Sequence, residues 1–209
     1  YCNEAITGIE GSNLDEKVKA PLAAEGKIMR AFYYWLMTSF FGDIPFYTED
    51  VADEATLAKV AKLPRMSADS TRAWLIKDLQ ECLPSLPLKR SSEIADNRVG
   101  AAVGYMLIAK MAQWNKEWQV SLDACRKIEE IYGSLDQYPL SDIPFRMKNT
   151  PESILEVQHT YSAGGLDYTS NLACLCMPYR RSGNKYDGVV IEELGDNATC
   201  WAPAQANNY

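Results

Sequence analysis

The chain has 209 residues, a formal net charge of −7 and an apolar content of 47%. These values are typical of a globular protein with one or two domains and a sizeable core, and they argue against disorder. The acidic charge disfavours nucleic acid as a partner, because phosphate binding needs a basic surface, and it gives no support to a patch for anionic membranes.

The first long element is a helix predicted over about 15–41. Its second half, 28–41, is apolar on nearly every side, so we expect neighbouring helices to enclose it. The run is too short for a membrane span and contains a charge. Gly42 suits the left-handed position after a helix and Pro45 prevents continuation, so we predict that the helix ends before them. We expect its aromatic residues and one on the next helix to lie in the core: Phe32, Tyr33, Trp35, Phe40 and Trp74.

Three more predicted helices complete two antiparallel pairs. The second begins after Ser67, a good N-cap, the third covers about 97–114, and the fourth covers about 118–132. Small residues in the third helix favour close packing by a neighbour. The predicted inward faces are Leu75, Leu79, Cys82, Leu83 and Leu86 in the second helix, Val103, Met106, Leu107 and Met111 in the third, and Leu122, Cys125, Ile128 and Ile131 in the fourth. Trp114 and Trp118, on either side of Asn115, are interpreted as closing the turn between the last two helices.

The character of the chain changes after Gly133, where prolines interrupt helical periodicity and 154–159 is predicted as a short strand. From Tyr161 onward, glycines, asparagines and aromatics dominate without a helical period. We therefore predict a helical core resembling tetratricopeptide repeats over 1–135. A loop-rich ligand-binding segment over 136–209 is predicted to pack on that core.

Catalytic chemistry is poorly represented. His159 is the single histidine, it lies near no nucleophile motif, and it cannot supply a two-histidine metal site. Glu25 is interpreted as an early helical carboxylate that suits the helix dipole, and Asp43 as a residue that stabilises the turn before Pro45. We predict no catalytic residue, no metal and no cofactor.

Six cysteines occur without any C-x-x-C pair. We interpret Cys82 and Cys125 as small core residues on apolar helical faces. A disulfide from Cys174 or Cys176 to Cys200 remains open from the sequence.

The loop aromatics indicate a binding function. Flat rings beside amides, guanidinium groups and carboxylates form a natural surface for sugars, whose apolar C–H faces are flanked by hydroxyls. Loops on a rigid helical scaffold are where such sites tend to lie. The predicted ligand-binding residues are Trp201, Tyr168, Tyr161, Tyr179, Tyr186, Asn171 and Arg180.

An ordered series of motifs resembles the SusD/RagB family of nutrient-binding outer-membrane lipoproteins of Bacteroidetes. The matching residues are Glu25, Arg30, Ala31, Phe32, Tyr34, Phe41, Gly42, Asp43, Pro45, Arg65, Ser67, Ile76, Asp78, Leu79, Leu86, Pro87, Arg98, Ala101, Ala102, Ile108, Ala109, Lys110, Trp118 and 152–157. The resemblance implies a mainly α fold, a superhelix of helical hairpins like tetratricopeptide repeats with an irregular loop-rich segment and short strands. It also suggests that Trp201 and Tyr168 correspond to members of an aromatic arc found in starch-binding relatives.

The function implied by this resemblance is binding of an oligosaccharide without catalysis. The implied partner is a SusC-like TonB-dependent transporter, and the implied location is the cell-surface face of the outer membrane, with a lipid anchor. The resemblance further implies an internal fragment, with Cys2 well inside the full-length protein and not the lipid-bearing residue. Two alternatives stay open: a helical-repeat module that binds protein or peptide without glycan affinity, and, less favoured, an all-α glycosidase.

Overall fold

The computed structural model describes residues 1–89, 98–142 and 149–157, together with the backbone of 185–186 and 189–190. The chain divides into two compact units, Tyr1–Glu156 and Val157–Tyr209. In the second unit, β1 (Lys185–Tyr186) and β2 (Val189–Val190) form an antiparallel pair in which Lys185 lies opposite Val190.

The described part of the first unit is helical. Its helices are α1 (Cys2–Glu10), α2 (Glu16–Phe41), α3 (Glu54–Val60), α4 (Ala68–Cys82), α5 (Ala101–Trp114) and α6 (Trp118–Tyr132). Short 3₁₀ turns follow at Leu83–Ser85, Leu135–Gln137 and Leu140–Asp142. The predicted mainly α fold is confirmed. None of the helices in the described ranges combines the length and apolar character that a membrane crossing needs.

Local chemistry accounts for the helix ends. Asp15 accepts a hydrogen bond from the Lys17 amide at 2.9 Å, and Ser67 accepts one from the Ser70 amide at 3.1 Å, so each satisfies an unpaired donor of a first turn. Gly42 follows α2 with φ of 68° and Gly133 follows α6 with φ of 79°, backbone angles that side chains disfavour. The predicted bounds of α2, the predicted start of α4 and the predicted end of α6 are therefore confirmed, whereas α5 begins at Ala101 and not at about 97.

The core lies where α2, α4 and α5 meet. Its fully buried residues include Ile28, Leu75, Leu79, Leu83 and Met111. Gly104 on α5 contacts Leu83 so closely that an added Cβ would overlap the leucine methyl groups. The predicted small-residue packing of α5 is thus observed, and the predicted leucine face of α4 is buried.

Two predicted faces are wrong. The end of α2 is not enclosed within the described structure: Tyr33 and Phe40 are exposed, Phe40 by 77%, and Trp74 on α4 is partly exposed. On α6, Leu122 and Cys125 are exposed, whereas Ser121, Ala124 and Tyr132 are buried. Small side chains at that interface let α6 approach α5 closely, and the larger aliphatic residues consequently lie beside the contact.

Two local predictions also differ. Residues 154–157 form no strand, and 158–159 lie outside the described residues. Glu25 lies ten residues into α2 and not near its start, because the helix begins at Glu16 and continues through Pro21. A dipole role for Glu25 is therefore wrong, and its carboxylate pairs with a distant arginine instead.

Candidate functional site

The predicted ligand-binding residues are outside the part of the chain that the structure describes. Tyr186 is in β1, but its side chain is not described, and the others lie in undescribed ranges: Trp201, Tyr168, Tyr161, Tyr179, Asn171 and Arg180. His159, Cys174, Cys176 and Cys200 are also outside. The aromatic surface in this segment therefore remains a prediction.

Arg30 forms the centre of a buried polar network. Its side chain is 5% exposed, and its Nη2 donates to Asp78 Oδ2 at 2.7 Å while its Nη1 donates to Asn3 Oδ1 at 3.2 Å. The guanidinium also lies 5.3 Å from the centre of the Trp74 ring. Lys27 Nζ approaches Asp78 Oδ1 at 3.4 Å. These contacts connect α1, α2 and α4 to one another. We therefore interpret the network as one that stabilises the fold.

Tyr34 links α2 to the segment that follows the helix. Its hydroxyl donates to the Tyr47 carbonyl at 2.9 Å and accepts from the Tyr47 amide at 3.2 Å. Burial raises the pKa of Tyr34, which keeps the phenol protonated. Phe46 packs on the same ring with centroids 4.8 Å apart. The tyrosine thus orders the backbone beside it.

Two carboxylates in the signature also have structural partners. The Glu25 carboxylate accepts two hydrogen bonds from Arg98, one from Nε at 2.7 Å and one from Nη2 at 2.8 Å. Asp43 accepts from the Ala68 amide at 2.9 Å and so caps α4, not its own turn. A bridge between Ile44 and Met66 holds the same two segments together. Both carboxylates therefore have structural partners, but not the ones that the sequence predicted for them.

Arg72 on α4 is 4% exposed and connects three elements. It donates to the Thr38 carbonyl at 3.2 Å near the end of α2 and to Asp69 Oδ1 at 3.2 Å. Its guanidinium lies 5.0 Å from the Trp114 ring centre. Burial lowers the pKa of Arg72, although arginine remains charged at neutral pH.

Two tryptophans lie at the tip of the α5–α6 hairpin. Trp114 ends α5 with 56% of its surface exposed, and Trp118 begins α6 with 65% exposed. They line an open cavity of about 420 Å³ together with Gln113 and Lys116. Interpreting both rings as closing the turn did not predict their exposure. The signal that could have predicted it is the presence of two tryptophans on either side of a polar turn.

A second cavity of about 400 Å³ lies between α2, α5 and 152–156. Phe32, Trp35 and Met106 are among its lining residues, and Lys110 Nζ lies 5.6 Å from the Trp35 ring centre. In the described ranges, no group of three or more histidine, cysteine, aspartate or glutamate residues is arranged to hold a metal ion.

Comparisons with known proteins identify the kind of scaffold. No protein-family model matches the chain. Over 127 residues, or 60% of its length, the chain is 27% identical to SusD-like protein P25 of Formosa agariphila, of which it spans 23%. It also superposes on a laminarin binding SusD-like protein over 96% of this chain and 44% of that one, with a TM-score of 0.71 and 20% identity. The resemblance to the SusD family is confirmed.

A further structural match comes from a complex with a glycan. Surface glycan-binding protein A from Bacteroides thetaiotaomicron, in complex with laminarihexaose, is 25% identical, with a TM-score of 0.52 over 66% of this chain and 27% of that one. The chain thus spans about a quarter of the curated SusD-like relative and less than half of either structure. In this SusD-like scaffold, the signature residues Arg30, Tyr34 and Asp43 hold helices and connecting segments together.

Proposed function

We propose that the chain binds an oligosaccharide at the bacterial cell surface and delivers it to a TonB-dependent outer-membrane transporter. The observation that carries the proposal is the similarity to SusD-like proteins, one of them a glycan-binding protein solved with laminarihexaose at 25% identity. The transporter partner and a lipid-anchored position on the outer membrane are parts of the same proposal.

A rigid helical scaffold supports this function physically. Ligand-binding loops tend to occur in proteins with a stable scaffold, and the Arg30 and Arg72 networks stabilise the helices of the first unit. We propose that the rings of Trp201, Tyr168, Tyr161, Tyr179 and Tyr186, with Asn171 and Arg180, form the principal sugar-binding surface. Stacking on such rings supplies contact area with few polar contacts, which suits an extended polymer.

We propose that the chain binds the glycan and does not cleave it. A glycosidase needs two carboxyl groups that flank a scissile bond, one of which donates a proton. The two carboxylates in the best-matched motif are otherwise engaged: Glu25 pairs with Arg98 and Asp43 caps α4. We therefore propose that the bound glycan leaves the protein unchanged.

Affinity electrophoresis in gels that contain single polysaccharides tests the proposal, with laminarin in the panel. We expect at least one glycan to retard the chain and Trp201→Ala to weaken the retardation. Phe40→Ala is the matched control, because it removes an exposed aromatic side chain from α2 that is not one of the predicted ligand-binding residues. Assays for reducing ends should detect no product. If no glycan retards the chain, sugar binding is refuted, and if products accumulate, the non-catalytic role is refuted.

Delivery needs a separate test, because sugar binding alone does not establish a transporter partner. Co-expression of the chain with a SusC-like TonB-dependent transporter, followed by affinity purification through a tag on the chain, should recover both proteins. Recovery of the chain alone would refute the partner while leaving glycan binding intact.

A further inference from the structure

The tip of the α5–α6 hairpin presents two tryptophan rings that the α5–α6 contact leaves uncovered. Trp114 and Trp118 are 56% and 65% exposed, whereas tryptophan is usually one of the more buried residue types. Each ring offers a large flat surface and an indole N–H, a combination enriched at binding sites. Two such rings four positions apart require an explanation beyond closing a turn.

A buried arginine packs against the Trp114 ring. The Arg72 guanidinium lies 5.0 Å from its ring centre, and Arg72 itself is held by the Thr38 carbonyl and by Asp69. A cation over an aromatic face contributes attraction to that face. Arg72 is itself buried and therefore supports the ring, while more than half of the Trp114 surface stays exposed.

The turn between the rings is also ordered. The Asn115 side chain donates to the Asp69 carbonyl at 2.9 Å, and the Glu117 amide donates to the Ala112 carbonyl at 2.8 Å. Lys116 adopts φ of 61°, which costs energy in a residue with a side chain. These contacts order the backbone that joins Trp114 to Trp118, so ligand binding would need little ordering of this turn.

Polar groups border the two rings. Gln113 and Lys116 line the same shallow, open surface as Trp114 and Trp118. The amide of Gln113 can both donate and accept, and the Lys116 ammonium donates. Apolar faces with hydrogen-bonding groups at their edges match a pyranose ring, which has C–H faces and peripheral hydroxyls.

We propose that Trp114 and Trp118 form a stacking subsite for an oligosaccharide, in which the rings contact pyranose C–H faces and Gln113 and Lys116 bind hydroxyl groups. This inference rests on the proposed glycan-binding function and adds a site on the helical scaffold, separate in sequence from the loop aromatics.

Titration with laminarihexaose, and with each glycan that retards the chain in gels, tests the subsite. We expect Trp118→Ala to weaken binding about tenfold, as for the loss of one favourable aromatic contact, and Trp118→Phe to restore much of it. Leu122→Ala is the matched control, since Leu122 is exposed one helical turn beyond Trp118 but does not line the cavity. Thermal unfolding of each variant separates binding losses from folding losses.

A second measurement leaves the residues in place. The chain contains five tryptophans, and incorporation of fluorotryptophan gives each a ¹⁹F resonance, with Trp114 and Trp118 assigned from their phenylalanine variants. We expect both resonances to shift during the titration. If glycan binds, Trp201→Ala weakens it and the Trp114 and Trp118 resonances do not move, the subsite is refuted while the proposed function survives.

Other outcomes are equally decisive. Equal losses in Leu122→Ala and Trp118→Ala would overturn the subsite and assign the α6 face to a protein contact or to stability. If wild-type chain binds no glycan, both the proposed function and the subsite fail.

Discussion

Replacement of Asp78 by alanine would leave the Arg30 guanidinium without its carboxylate partner. Arg30 is 5% exposed and the Asp78 side chain 11%, and their 2.7 Å contact is therefore largely shielded from water. Breaking a buried ion pair from one side costs ~3–5 kcal/mol, because the remaining charge stays desolvated. Asn3 and the Trp74 ring still contact Arg30, so we expect a loss near the lower limit, about 3 kcal/mol of unfolding free energy.

Urea unfolding followed by circular dichroism measures this loss. We expect a lower midpoint with an unchanged slope, since the area exposed on unfolding is the same. Asp123→Ala is the matched control, because Asp123 pairs with Arg126 at the surface at 3.5 Å and such pairs contribute at most ~1 kcal/mol.

A paired replacement tests the reason for the effect. In Arg30→Met with Asp78→Leu, no buried charge of the pair remains, so we expect recovery of at least half of the loss. A loss below ~1 kcal/mol in Asp78→Ala would refute the reasoning, since it would mean that water or other groups solvate Arg30 as well as the carboxylate does.

Three further substitutions or reactions probe packing, backbone and thiol chemistry. Gly104→Ala places a methyl group against Leu83, and we expect it to lower the unfolding free energy by ~1–3 kcal/mol in urea titrations. Gly42→Ala meets no neighbouring atom but forces a side chain onto φ of 68°, so we expect a loss of ~1–3 kcal/mol from backbone strain alone. Burial raises the pKa of the Cys82 thiol to about 11, so its alkylation by iodoacetamide should be slow at pH 8 and rise about tenfold per pH unit toward pH 10, whereas exposed Cys125 should react readily at pH 8.

Each of these predictions has an internal comparison. Leu83→Val beside Gly104→Ala should restore part of the loss, and no recovery would contradict the proposed overlap. Gly8→Ala should stabilise α1 by ~0.5–1 kcal/mol, because Gly8 is helical and meets no neighbour. An equal gain in Gly42→Ala would contradict the strain argument. The alkylation is measured by mass spectrometry with serine at Cys2, Cys174, Cys176 and Cys200, and equal rates at the two remaining thiols would contradict burial of Cys82.

Local signals predicted the helix ends well. Ser67 caps α4 and Gly133 ends α6 as expected, because capping and positive φ depend on a few adjacent residues. The leucine face of α4 was also predictable, since its periodicity is strong and α4 packs against both α2 and α5.

Contacts between distant segments were not predictable. Glu25 and Arg98 are 73 positions apart in the sequence, and no local sequence pattern predicts that they pair. On α6 the large aliphatic residues suggested the wrong face, because hydrophobic periodicity does not reveal that Ser121 and Ala124 allow the closest helix approach. The exposure of Trp114 and Trp118 has the same origin: a turn sequence shows which residues flank it but not what covers them.

The position of Arg72 affects how the first unit fluctuates. One side chain links the carbonyl of Thr38, the start of α4 and the ring of Trp114, so separation of any one from the others breaks a buried contact. Amides near the end of α2 and near the α5–α6 turn should consequently exchange with deuterium in one cooperative opening, with similar free energies, despite lying more than seventy residues apart. A glycan bound to Trp114 would then slow deuterium exchange of the amides at the end of α2. Those amides would therefore report binding at the tip of the α5–α6 hairpin.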